Sequence, residues 1–202
     1  MDKTVKKIIT IFATIAILVI MYLGSYLPLL KSQLYVKILV LLETNKIHSV
    51  KEFLDLVNPA LAFYSPIGQD EVVSYYTGGV LASVISQQNN PQVVEGLVKE
   101  TEKWMEPIIK SQKGFSVSQN LFNFAQIYLI AAPKIKSVAF LQKSIDLFKE
   151  GLKNSPNRYI FLEGLFNAYQ IEGNKEGMKE VGNTILKYWP DKEEIKKAIS
   201  NL

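Results

Sequence analysis

Four glutamates close together, Glu95, Glu100, Glu102 and Glu106, are the side chains whose type and spacing could do acid-base chemistry. Carboxylates whose pKa values are driven apart can act as general acid and general base, or can together hold a cation. Lys99 and Lys103 are interleaved among them, and alternating charge at helical spacing reads instead as a solvated, ion-paired helix face. Elsewhere the sequence removes chemistries. His48 is the only histidine, so paired-imidazole metal sites and histidine relays cannot be assembled, and it falls in a turn predicted from Asn45 to Ser49. There is no cysteine, which excludes disulfides, thiolate catalysis and thiolate metal sites. Gly78-Gly79 lies in an apolar helical stretch with no GxxxxGK pattern anywhere, and reads as a close helix contact. The aromatics Phe115, Phe122, Phe124 and Tyr128 recur at helical spacing and are expected in a helix core, and Tyr188-Trp189-Pro190 reads as a packed helix stop. The expectation is of no cofactor, no metal and no enzyme.

The elements that carry these residues are helices. The 202 residues bear a formal net charge of +4, of which Asp2, Lys3, Lys6 and Lys7 account for half, and the remainder leaves no electrostatic footprint for nucleic acid. Arg158 is the only arginine, where bidentate phosphate recognition ordinarily uses several. Apolar residues make up 48% of the chain and concentrate at its start. From Ile8 to Leu30 run 23 residues without a charge, about 34 Å of helix, which is enough for a hydrocarbon core of roughly 30 Å. A transmembrane helix is expected. A cleaved signal peptide is the competing reading, but its apolar region is ordinarily only about 7–15 residues long, and no small-x-small pair stands where cleavage would fall. Lys3, Lys6 and Lys7 precede the span closely and Lys31 and Lys37 follow it, so the positive-inside rule directs residues 1–7 to the cytoplasm and 31–202 outward. Tyr22 and Tyr26 suit the outer interface, and Gly24 and Ser25 could let another helix approach.

After the span, periodicity predicts helices over 34–45, 49–64, 71–88, 91–111, 116–131, 136–154, 157–172, 174–188 and 191–201. Pro91 is placed at a first helical turn, and Pro59 either kinks its helix or starts it. Pro156 and Pro190 are 34 residues apart, and between them Leu162, Leu165, Tyr169, Gly173 and Ile185 fall in register with the tetratricopeptide repeat, while Phe166 and Met178 take positions where that repeat uses small residues. Upstream, Leu121, Phe124, Ala125 and Tyr128 repeat the first-helix pattern, and Ser144, Phe148 and Pro156 the second, with an elongated turn around Ala132-Pro133-Lys134. DLVNPALAFYSP at 55–66 echoes DLFKEGLKNSP at 146–156. The fold class expected is all-α: one N-terminal transmembrane helix, then a tetratricopeptide-like α-solenoid of antiparallel helix pairs over 31–202.

In such an array the first helices of the pairs line a groove, here holding Gln119, Asn123, Gln126, Glu163, Asn167 and Gln170. Amides both donate and accept, which suits an extended peptide or sugar hydroxyls. An uncharged span ending in Tyr26-Leu27-Pro28-Leu29-Leu30-Lys31, followed by irregular repeats with Ser155-Pro156-Asn157-Arg158, resembles the C-terminal portion of O-antigen ligase and polymerase-like membrane proteins. The resemblance implies a last transmembrane helix leading into a repeat tail. That family's catalytic residues lie in loops between many spans, so none carries over to a chain with one. Three functions follow as expectations: an anchored scaffold binding protein partners at an envelope or surface-polysaccharide assembly site, an accessory subunit of an O-antigen ligase-like system held through its span, and a hydrolase using the acidic helix.

Overall fold

In the computed structural model, residues 2–43, 49–111 and 116–202 are described. The turn around His48 and Phe115 lie outside them. Among the described residues the regular elements are all helical, with no strand. The chain divides into two compact units, Met1–Val72 and Val73–Leu202.

In the first unit, α1 (Lys3–Met21) passes through a π-helical turn, Tyr22–Tyr26, into α2 (Leu27–Glu43). Asp2 caps the start, its carboxylate accepting from Thr4 N–H. Pro28 accounts for the π turn. It has no N–H to give the Gly24 carbonyl and its ring presses on that group, so the helix widens and Leu27 N–H reaches back to Tyr22 instead. No residue of α1 is buried. The run Lys3–Leu41 is the one helix among the described residues long and apolar enough to cross a membrane. From Leu27 onward a partner appears: Leu27, Lys31 and Ile38 form a buried stripe on α2, and α3 (Val50–Ala62) buries Phe53, Val57, Ala60 and Leu61. These two helices pack on each other, which is why the division falls at Val72 rather than at the end of the uncharged stretch. Ser49 caps α3, and Pro59 sits in its last turn, with Phe63 N–H bonding the Pro59 carbonyl.

The stretch expected as a single helix over 71–88 is α4 (Gln69–Tyr75), a π-helical turn (Tyr76–Leu81) holding Gly78-Gly79, and α5 (Ala82–Gln87). Then come α6 (Pro91–Ser111), α7 (Val117–Ile135), α8 (Val138–Asn154), α9 (Tyr159–Glu172), α10 (Lys175–Tyr188) and α11 (Glu193–Ser200). Side chains cap the starts of three of them: Asn90 accepts from Gln92 and Val93, Ser137 from Phe140, and Asn174 from Gly177. Gly173, at φ 76°, ends α9.

Helix α7 overruns its expected end at 131 and continues through Pro133 to Ile135. Ala131 and Ala132 are buried, and Lys134 donates to the Ser86 and Gln88 carbonyls at 2.9 and 3.0 Å, so packing and a capped neighbour outweigh the proline. In the second unit α6 packs on α7, α7 on α8, α8 on α9, α9 on α10 and α10 on α11; α7 also touches α9, α5 and the π turn before α5. The α8–α9 approach is set by two glycines. Phe161 lies against Gly151 and Phe148 against Gly164, so close that an added Cβ would fall 2.1 and 2.2 Å from a ring carbon.

Candidate partner-binding face

On α7, Gln119, Asn123 and Gln126 recur at intervals of four and three residues; on α9, Glu163, Asn167 and Gln170 do the same. The two helices are adjacent at their starts, where the Arg158 guanidinium donates to Ser118 Oγ and the Phe122 ring meets Phe161 edge-on, 6.1 Å between centroids. Gln119, Asn167 and Gln170 are exposed, and Gln126 and Glu163 half-buried. Asn123 is placed differently. It is only 6% exposed and its Nδ2 donates to the Ser74 carbonyl (2.8 Å) and Ser74 Oγ (3.0 Å), while Oδ1 accepts from Gln119 at 2.9 Å. Its amide lies against Gly78, where an added Cβ would come within 2.7 Å of Nδ2. Asn123 therefore joins α7 to the Gly78 turn, and Gly78 is the close helix contact its sequence suggested; Gly79 meets nothing within 4 Å.

At the start of α9 its stripe opens on a cavity of about 310 Å³ lined by Tyr159, Glu163 and Asp191 to Ile195. Tyr159 OH donates to Glu163 at 2.7 Å, Trp189 packs edge-on against the Tyr159 ring at 5.1 Å, and the Lys192 ammonium lies 4.5 Å from the same ring centroid. Burial, then the bond to Glu163, pushes the Tyr159 hydroxyl above its ordinary pKa. Sequence reasoning did not bring Tyr159 and Lys192 together, because 33 residues separate them and only the fold of α11 closes that interval.

The acidic helix uses its carboxylates locally. Glu95 pairs with Lys99 at 2.5 Å, Glu100 with Lys103, and Glu106 with Lys110 at 2.8 Å, all at exposed positions. The hydrogen bond from Lys110 holds Glu106 below the usual carboxylate range. Glu102 departs from this pattern. Its Oε1 accepts from Tyr128 OH at 2.7 Å and from Lys143 at 2.6 Å, joining α6, α7 and α8, and Lys143 also lies 5.1 Å from the Tyr128 ring centroid. Burial first, and Glu102 second, drives the Tyr128 hydroxyl far above its ordinary pKa. Among the described residues no group of three or more His, Cys, Asp or Glu could hold a metal ion. The expected core aromatics Phe124 and Tyr128 are buried, and Phe122 is wedged between Phe148 and Phe161.

No family model, curated protein or solved structure matches the chain. Among the described residues the structure defines an all-α fold with one long, apolar N-terminal helix and, in a separate unit, helices that pack in sequence order.

Proposed function

We propose that the chain is a membrane-anchored scaffold whose helix pairs stack as a tetratricopeptide-like, antiparallel solenoid and hold a protein partner on the α7/α9 face. The observation that carries this reading is that α7 touches both its successor α8 and the next-but-one helix α9. In a solenoid of pairs the first helices of neighbouring repeats line one surface, and Gln126, Asn167 and Gln170 would lie on it with amides that can donate to and accept from a peptide backbone, beside Gln119, which gives one N–H to Asn123 Oδ1. A binding role rather than catalysis is supported by the acidic helix, whose four glutamates each meet a lysine. In this reading residues 8–30 span the membrane, residues 1–7 are cytoplasmic and residues 31–202 face outward, at a cell envelope or surface-polysaccharide assembly site. The test places a photo-crosslinker at Gln126, Asn167 and, on α10, Lys179 in native membranes. One protein captured from 126 and 167 but not from 179, and lost in a Gln126→Lys/Asn167→Lys variant that stays helical, is expected. Equal capture from all three positions would sink the idea.

A second reading has its own observation. Gly24 lies in the π turn with open space beside it, continuing a helix α1 in which no residue is buried, so another span could pack closely there. The chain would then be an accessory subunit of an O-antigen ligase-like glycopolymer system. Replacing residues 8–30 with an unrelated hydrophobic helix abolishes association under this reading and leaves it intact under the first.

A further inference from the structure

The ammonium of Lys31 closes the uncharged stretch Ile8–Leu30, and a lysine at a membrane boundary ordinarily extends to water or phosphate. Lys31 is instead 1% exposed, its Nζ donating to the Phe63 carbonyl at 2.6 Å. Three more bonds hold the segment that begins there: Phe63 N–H to the Pro59 carbonyl (3.0 Å), Gln69 Nε2 to the Leu61 carbonyl (3.2 Å), and Ser65 Oγ to the Ile67 carbonyl (2.6 Å). Gly68, at φ 87°, supplies the left-handed residue that lets the chain leave this loop for α4. The loop is thus fixed to the helix at the level where its uncharged stretch stops.

What the loop presents there is apolar. Residues 63–69 carry no charge, and Tyr64 is 71% and Ile67 56% exposed. On the helix, Leu29 and Tyr26 are exposed at 55% and 51%, and Tyr26 lies only about 7 Å along the axis from Lys31. A tyrosine ring with a polar tip and an apolar body suits the headgroup layer.

We propose that the Phe63–Ile67 loop is a second membrane contact, with Tyr64 and Ile67 entering the lipid interface beside the point where the anchor emerges. The occupant is lipid because the loop is continuous with the spanning surface: if residues 8–30 cross the bilayer, the headgroup layer already lies at the height of Lys31. The inference rests on that reading of residues 8–30. Its consequence is a first unit seated on the membrane by two contacts rather than swinging from one.

The chain is free of cysteine, so single labels are simple to introduce. Tyr64→Cys, Ile67→Cys, Ile20→Cys and Ser200→Cys variants of the full chain, each bearing an environment-sensitive fluorophore, are reconstituted in phosphatidylcholine/phosphatidylglycerol vesicles. Expected are blue-shifted emission at 64 and 67, quenching there by shallow lipid-borne nitroxide, shielding from iodide, quenching at 20 by deep nitroxide, and quenching at 200 by iodide alone. Adding Lys31→Met should move the label at 64 toward water without moving that at 20. If 64 and 67 behave like 200 while 20 lies in lipid, the loop contact is refuted and the anchor stands. If 20 is not in lipid, both fall. Shielding of 64 and 67 from iodide and lipid nitroxide alike would mean a protein covers them, which also overturns the proposal.

Discussion

Glycines and buried hydroxyls govern the second unit at the scale of single residues. Gly164 and Gly96 both sit in helix interiors, where alanine is the better helix former by about 1 kcal/mol. Their surroundings reverse the outcome. Gly96 has open space around it and Gly96→Ala should stabilise by roughly that amount, whereas Gly164→Ala drives a methyl into the Phe148 ring and should destabilise by about 1–3 kcal/mol. Thermal unfolding followed by circular dichroism in detergent measures both. Tyr76 makes a different prediction. It is 1% exposed, bonded to Thr101 at 3.2 Å, and burial pushes its hydroxyl up to about 12. Because the folded state holds this proton more tightly than the unfolded chain, its contribution is fully present below pH 10 and is lost as the pH climbs toward 12, by roughly 2–3 kcal/mol. Stability against pH should therefore fall more steeply over that window in the wild type than in Tyr76→Phe. The spacing of Phe124 and Tyr128 already placed them in a core. That Asn123, one residue from Phe124, faces Ser74 was not legible, since an amide at helical spacing suits a groove or a contact equally until its neighbour is known.

At the scale of elements, capping is local chemistry and helix ends are not. Asn90, Ser137, Asn174 and Gly173 act within a turn of their own positions. The end of α7 depends on residues far away, because Lys134 bonds carbonyls more than forty positions earlier. Lys134→Met should remove the cap on α5, lowering stability by about 1 kcal/mol and speeding amide exchange in Ala82–Gln87 while leaving α9 unchanged. Lys136, which ends α7 at φ 51°, holds a left-handed conformation that glycine adopts without strain. Lys136→Gly should raise the unfolding free energy by about 1 kcal/mol in the same thermal assay.

For the whole molecule, the division at Val72 makes a testable statement about independence. A fragment of residues 69–202, which keeps α4 whole, should be soluble without detergent and retain its helical circular dichroism. The full chain should stay in the membrane pellet after alkaline carbonate extraction, and deletion of residues 2–30 should release it. A fragment that aggregates or loses its helicity would show that the second unit depends on the first.

Helical periodicity and the uncharged run Ile8–Leu30 were determined by the sequence alone, because each depends on neighbours within a few residues along one helix. Only the tertiary structure decided that Glu102 leaves its ion-paired neighbours to join Tyr128 and Lys143, and that Lys31 turns inward to Phe63. These outcomes depend on which side chains meet across helices. A carbonyl or hydroxyl brought close by packing outweighs a local preference of a few tenths of a kcal/mol, and such a meeting has no signature in spacing.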